Sequence, residues 1–478
     1  MASQCWINLG ADGTFASSGK LSSTAADVDY LLGDALSGAS RLVLFFHGGL
    51  VNEASGLSSA ERMAGNYGTT AASIGIIWEA GLRETFRDNL LAITDTKIFK
   101  KALSWVLAKA GVGDDNGARG PGGGPLDAAK IEAMLETPTG AAELDGVLSA
   151  QANAAESTAS AKSSGLDDRD PEAIARDLEY DFAEDSSLPD LIDAGAPGAG
   201  PIKRKIDLEE GARGLTITGV ALFIGKVVFA VTRRYRSGTA HDPLPTAVEE
   251  LLRAAYLADV GKFAWDAMKT KAQRMWTDDG TAPGVTGHGG GYILRRLEAL
   301  QAARPDMIID VVGHSAGSIA ICEMLAAIEA DRRRIRLRNV IFLAPAARLD
   351  LFARWIPRGP QIFKRFRMFT MTDAYEKMDR VGGPVYPRSL LYLVSGCFED
   401  RPDAAIVGMD RFLRQAETSA GRDYDDVRRW LREDTRLVHS PSDAGAVQGL
   451  RTSARHHGDF DDNSETLASL LYMAGAIP

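Results

Sequence analysis

Ile308-Ile-Asp-Val-Val-Gly-His-Ser-Ala-Gly317 is the stretch on which the reading of this chain turns. A short run rich in β-branched residues, Ile308 to Val312, leads directly into the pattern G-x-S-x-G. An apolar, helix-compatible stretch, Ser318 to Ala327, follows at once. Strand, sharp turn and helix in that order are what a nucleophile elbow requires, with Ser315 exposed at the turn and Gly313, His314 and Gly317 around it. Any side chain at Gly313 or Gly317 would collide with the neighbouring strand or helix. The competing reading is a tight strand-to-helix turn whose serine merely caps the helix. The two are separated by whether the remaining machinery is present and in order.

Upstream, Arg41-Leu-Val-Leu-Phe-Phe46 reads as a second buried strand and ends in His47-Gly48-Gly49-Leu50. Acyl transfer needs two backbone amides aimed at the developing oxyanion. One comes from the residue after the nucleophile, here Ala316, and the other from a glycine-rich loop after an earlier strand, here Gly48-Gly49. The alternative for that loop is a strand-terminating Gly-Gly turn. His288-Gly-Gly-Gly291 is spelled similarly but follows Pro283-Gly-Val-Thr-Gly287 rather than a strand, so it reads as a flexible linker or hinge ahead of a helix from Tyr292.

With these pieces the chain resembles the α/β-hydrolase superfamily, of the lipase and esterase kind. The matching pieces are His47-Gly-Gly49, Gly313-His-Ser-Ala-Gly317, and an acid and a histidine later in the chain; they span residues 41–79 and 292–478. They are specific to the superfamily, not to one family or substrate. The resemblance implies an α/β fold with a mostly parallel, doubly wound sheet, and a chain order of serine, acid, histidine at its carboxyl edge. Further strands are read at Ser73–Trp78, Asn339–Ala344, Phe366–Met371 and Leu390–Val394. The family's acid usually follows the penultimate strand, which selects Asp373, although an aspartate there also serves as an ordinary helix cap. Asp350 and Asp379, then Glu399 and Asp400, are the other candidates. Of seven histidines, His47, His241, His288 and His314 precede the serine and fall out on chain order. The resemblance places the base in a loop before the last helix, which favours His457, beside Gly458 and just ahead of a terminal helix at Glu465–Met473. His456 is second, and His439 reads as a surface-loop residue.

Composition bounds the rest. The chain has 478 residues, 45% hydrophobic and 25% charged, the profile of a globular protein with one large domain and an insertion, or two domains. A net charge of −10 and the lack of a basic stretch interleaved with aromatics argue against nucleic acid. Cys5, Cys322 and Cys397 are too few and scattered for a disulfide framework or a metal site. No dinucleotide fingerprint or Walker loop competes, so no cofactor is expected. The amino terminus shows no secretory signal pattern, and a cytoplasmic location is the default expectation.

One feature departs from the family: residues 80–291 stand where a short crossover belongs. The part from about 111 to 200 is rich in Gly, Pro, Ala, Ser and acids and reads as flexible or loosely helical. Leu215–Val231 is the most apolar run. Its 17 residues contain Lys226, so a buried or lid helix is favoured over interfacial membrane contact or a span. Thr246-Ala-Val-Glu249 suggests a capping box opening a helix whose apolar stripe continues through Trp265, Met268 and Met275. A helical cap over about 205–277 is therefore expected, inserted in a core of 1–79 and 292–478.

The expected function is hydrolysis of a carboxylic ester with an apolar acyl or alcohol portion, in a small-molecule or lipid-like substrate. Ser315 would be the nucleophile, His457 the base and Asp373 its orienter. An amidase, thioesterase or phospholipase would use the same groups, and a scaffold that retains the fold without chemistry is the remaining alternative.

Overall fold

A computed structural model describes residues 4–475 except 37, 50, 79–89, 92, 111–125, 158–169, 184–204, 206–215, 239, 256–260, 281–282, 356–360, 382 and 415–423. Its chain divides into two compact units. One comprises Met1–Glu84, Ala264–Glu376 and Ala405–Pro478, the other Thr85–Phe263 and Lys377–Ala404.

The first unit is α/β. Its strands are β1 (Trp6–Asn8), β2 (Arg41–Phe46), β3 (Ala72–Ile77), β4 (Ile308–His314), β5 (Leu337–Leu343), β6 (Phe363–Met371) and β7 (Leu437–Ser440). They form a seven-stranded sheet in the order β1-β3-β2-β4-β5-β6-β7, with every pairing parallel. The central strands are buried on both faces, which is why they read as continuous runs of Val, Ile, Leu and Phe. Strand order reverses between β2 and β4: the chain winds outward through β3, then returns to the other side of β2 and winds through β5 to β7. In such sheets the crevice at the carboxyl ends of the strands, at the point of reversal, is where ligands bind. The register sets Phe46 beside Gly313, so the segments after β2 and β4 emerge together there.

Several sequence expectations are corrected here. Leu390–Val394 is not a strand. Leu390–Leu393 is helical and continues into a π-turn, Val394–Phe398, within the second unit. A short, wholly buried apolar run has no periodicity to distinguish the two states, and the Ser389 hydroxyl caps this one by accepting from the Tyr392 amide. The last strand is β7, so His439 is a strand residue and not a loop one. Gly289–Gly291 is no linker but the buried first turn of the helix Gly289–Ala303. A side chain at Gly290 or Gly291 would strike the Met275 or Thr277 carbonyl oxygens, so glycine here serves close packing.

In the second unit, helices occupy parts of the stretch expected to be loosely ordered: Ala128–Leu135, Pro138–Ser157 and Pro171–Ala183. Ile131, Leu135, Leu144, Leu148, Ile174, Leu178 and Phe182 recur at helical spacing and are buried; residues 111–125, 158–169 and 184–200 lie outside the described set. Of the apolar run 215–231, Leu215 also lies outside it, and the rest belongs to the helix Ile217–Arg236, capped by Thr216. That helix packs on Pro171–Ala183 and buries Phe223, Ile224, Val227, Val228 and Val231. Among the described residues no helix is long and apolar enough to cross a membrane.

Thr246 and Glu249 do not form a capping box. Their helix, Pro243–Ala255, begins earlier; Thr246 Oγ1 accepts from the His241 amide, and the Glu249 carboxylate is buried against Arg234, His241 and Tyr386. The helix Gly261–Arg274, grouped with the insertion on sequence, gives its residues from Ala264 onward to the sheet unit. The cause is packing: Met268 lies against Gly49, Met275 against Gly13, and the Trp276 ring beside Phe46.

Candidate active site

Ser315 follows β4 directly and precedes the helix Gly317–Ala330. Its φ of +51° is in the left-handed region that non-glycine residues avoid. Such strain persists where the surroundings over-determine the residue. The Ser315 amide donates to the Leu343 carbonyl at 2.8 Å, and its own carbonyl accepts from the Ala346 amide at 3.0 Å and the Ser318 hydroxyl at 2.6 Å. The end of β5 and the first turn of the helix thus clamp it from both sides. A methyl group at Gly317 would overlap the Phe46 carbonyl, and one at Gly313 would lie 2.7 Å from the Gly317 carbonyl carbon. Both glycines are therefore steric requirements of the turn.

His457 is buried and its Nε2 lies 2.9 Å from Ser315 Oγ. It opens a short 3-10 turn, His457–Asp459. His456, immediately before, is exposed and caps that turn, its amide donating to Asp459 Oδ2 at 3.0 Å. The structure thus brings His457 to the serine and turns His456 to another task.

His47 is buried at the start of the glycine loop. Its Nδ1 donates to the Gly48 carbonyl at 2.7 Å, leaving Nε2 to accept from the Trp78 amide at 3.2 Å. Burial pushes its pKa down to about 4, so the ring is neutral at pH 7. Gly56, in the helix Glu53–Tyr67, makes room for it: a methyl there would lie 2.9 Å from His47 Nε2. Because the carbonyl and amide of one peptide point in opposite directions, holding the Gly48 carbonyl on the His47 ring also fixes the aim of the Gly49 amide. Gly48 faces the serine, with its Cβ position 3.4 Å from Ser315 Cβ, and Gly49 abuts Ala316. Among the described residues, the amides of Gly48, Gly49 and Ala316 donate to no protein acceptor. Together with the amino end of the Gly317–Ala330 helix they offer donors and positive dipole beside Ser315.

Asp373 stands at the carboxyl end of β6 as the first, half-buried residue of the helix Asp373–Glu376. Its amide donates to Asp410 Oδ2 at 3.1 Å. Asp350 is engaged by Arg348 at 2.7 and 2.9 Å, and Asp379, Glu399 and Asp400 belong to the second unit. Sequence reasoning missed Asp410. This buried carboxylate accepts from His439 Nε2 at 2.9 Å and is paired with Arg414 at 2.6 Å. Burial raises its pKa, but the His439 bond and charge, the Asp373 amide and Arg414 outweigh burial and hold it below the usual carboxylate range. Its signal was absent from the sequence, because Asp410 and His439 meet only when β7 joins the sheet.

Asp461 was also missed. Ser59 donates to its Oδ2 at 2.8 Å, Arg62 Nε donates to its carbonyl at 3.1 Å, and His314 Nδ1 lies 3.7 Å from its Oδ1. In the second unit, His241, Glu249 and Asp403 bring ligand atoms within 4.8 Å of one another. The Arg234 guanidinium already serves as the cation there, bonded to Glu249 at 2.6 Å and to both oxygens of Asp403. The trio is thus part of a charge network and not a metal cage. No family model, curated protein or solved structure was found to match the chain.

Proposed function

We propose that the protein is a serine hydrolase of the α/β-hydrolase kind, cleaving carboxylic esters with an apolar acyl or alcohol portion. The observation that carries this reading is the 2.9 Å approach of His457 Nε2 to the Oγ of a serine held at φ +51°. A strained serine beside a buried imidazole, at the switch point of a parallel sheet, suits nucleophilic catalysis better than helix capping.

Ser315 Oγ attacks the ester carbonyl while His457 Nε2 takes its proton. The carbonyl oxygen, now an anion, is received by the amides of Gly49 and Ala316. His457 returns the proton to the departing alcohol, and water, activated by the same imidazole, then hydrolyses the acyl-enzyme. In this reading Asp373 is the group that would accept from His457 Nδ1–H, a bond the structure does not show, and so fix the tautomer and steady the imidazolium. Met268 beside Gly49 supplies apolar surface at the oxyanion loop and supports the preference for an apolar substrate.

The test is Ser315→Ala with p-nitrophenyl esters of graded chain length and a fluorophosphonate probe. Parent protein should turn over the esters and be labelled at Ser315. The variant should keep its fold, lose labelling and fall in kcat by on the order of 10⁴-fold or more. Full ester turnover in Ser315→Ala rejects the reading.

A further inference from the structure

We propose that His314, the residue before the nucleophile, is a positioning residue that fixes the His457 loop onto the end of β4. The inference rests on the reading of Ser315 and His457 as nucleophile and base.

His314 Nε2 lies 3.0 Å from the His457 carbonyl oxygen. A carbonyl can only accept, so Nε2 carries the proton and donates. The two imidazoles also stack, with centroids 5.5 Å apart and planes inclined by 29°. One side chain thus holds both the backbone and the ring face of the proposed base. It belongs to the residue whose peptide bond leads into Ser315, so nucleophile and base are referred to the same point of the sheet.

The His457 loop needs such a tie. Its own bonds close within it: the Arg455 and His456 amides donate to Asp459 Oδ2, and the Ser453 amide donates to Asn463 Oδ1. These keep the loop's shape without fixing where it sits against β4. Bonds from outside the loop do that: the Ser440 hydroxyl of β7 donates to the Ala454 carbonyl at 2.6 Å, the helix Glu53–Tyr67 holds Asp461 through Ser59 and Arg62, and His314 holds His457 itself. Asp461 also faces His314 Nδ1, so the last two of these anchors meet.

Three variants separate the parts of this contact. His314→Phe keeps a ring to stack and loses the donor. His314→Gln keeps a donor near the Nε2 position and loses the ring, and His314→Leu loses both. Each is compared with parent by ester kinetics, by the rate of fluorophosphonate labelling of Ser315, and by thermal melting. A shift of about 1 Å in catalytic geometry costs on the order of 10²-fold, so His314→Phe and His314→Leu should lose that much in kcat and in labelling rate, with KM unchanged, while His314→Gln recovers to within about threefold of parent. A merely structural role would instead follow melting temperature and would not spare KM.

Parental kcat and labelling in a folded His314→Phe overturn the proposal, as does equal loss in all three variants in step with lowered melting temperature. If parent protein is not labelled at Ser315 at all, the hydrolase reading falls first and this inference with it. The two failures are thus told apart.

Discussion

His457 and His456 are neighbours with opposite environments, one buried against Ser315 Oγ and the other exposed as a turn cap. Under the proposed mechanism, His457→Ala should match Ser315→Ala in severity, because residues that act as a unit are not additive. His456→Ala keeps the backbone amide that bonds Asp459 and should leave kcat near parental and stability within about 0.5 kcal/mol, as for other exposed side chains. Asp373→Asn should lower kcat far more than Asp350→Asn, whose carboxylate serves an ion pair with Arg348; a silent Asp373→Asn moves the acid elsewhere. His47 supplies a pH dependence of another kind. Its folded pKa of about 4 lies below the unfolded value of about 6.5. The unfolded chain therefore binds the proton first, and stability present above pH 6.5 is lost as pH falls through that window towards 4, by on the order of 3 kcal/mol at most. Melting temperature measured from pH 7 to pH 4 should fall, and His47→Phe should flatten that slope even though it leaves the Trp78 amide without its acceptor. An unchanged slope in His47→Phe would assign the acid sensitivity to other groups.

At the scale of elements, the legible ones were those whose pattern is dictated by burial alone. β2, β3, β4 and β5 read correctly because a parallel strand covered on both faces is an unbroken apolar run. The same rule misassigned Leu390–Val394, since a buried helical turn is spelled the same way. β1 and β7 were missed because they are short edge strands of three and four residues, set by pairing with β3 and β6 and too brief to show a period. Within the candidate site, Ser315, Gly48 and Gly49 stand out in the sequence because turn sterics restrict the residue type, and His457 because few histidines follow the elbow. His314, Asp410 and Asp461 act through contacts across more than 25 residues of chain, for example Ser59 to Asp461, separated by 402. No local pattern announces such pairs.

For the whole molecule, the division into units is more than an insertion between β3 and β4. The chain leaves the sheet unit after Glu84, returns at Ala264, leaves again after Glu376 and returns at Ala405. Charge pairs explain why Lys377–Ala404 stays with the helices of the second unit. Arg388 bonds Asp145 at 3.0 Å and Asp242 at 2.8 Å, and Arg234, on the helix Ile217–Arg236, bonds Glu249 and Glu250 of the next helix and Asp403 of the returning segment. Arg234 is 3% exposed and Glu249 fully buried. Burial alone would lower the Arg234 pKa, but Glu249 and Asp403 raise it well above its ordinary value, so the cation is permanent. Ion pairs this deep add little over apolar packing, yet breaking one strands its partners without compensation. Arg234→Met should therefore destabilise the second unit by about 3–5 kcal/mol, and Arg234→Lys should do little better, because an ammonium cannot present a planar fork to three carboxylates at once. Urea denaturation followed by limited proteolysis should show cleavage within Thr85–Phe263 at lower denaturant in Arg234→Met than in the parent. Cleavage at the parental concentration would mean that apolar packing, such as that of Phe223, Ile224 and Val228, and not the charge network, sets the stability of the second unit.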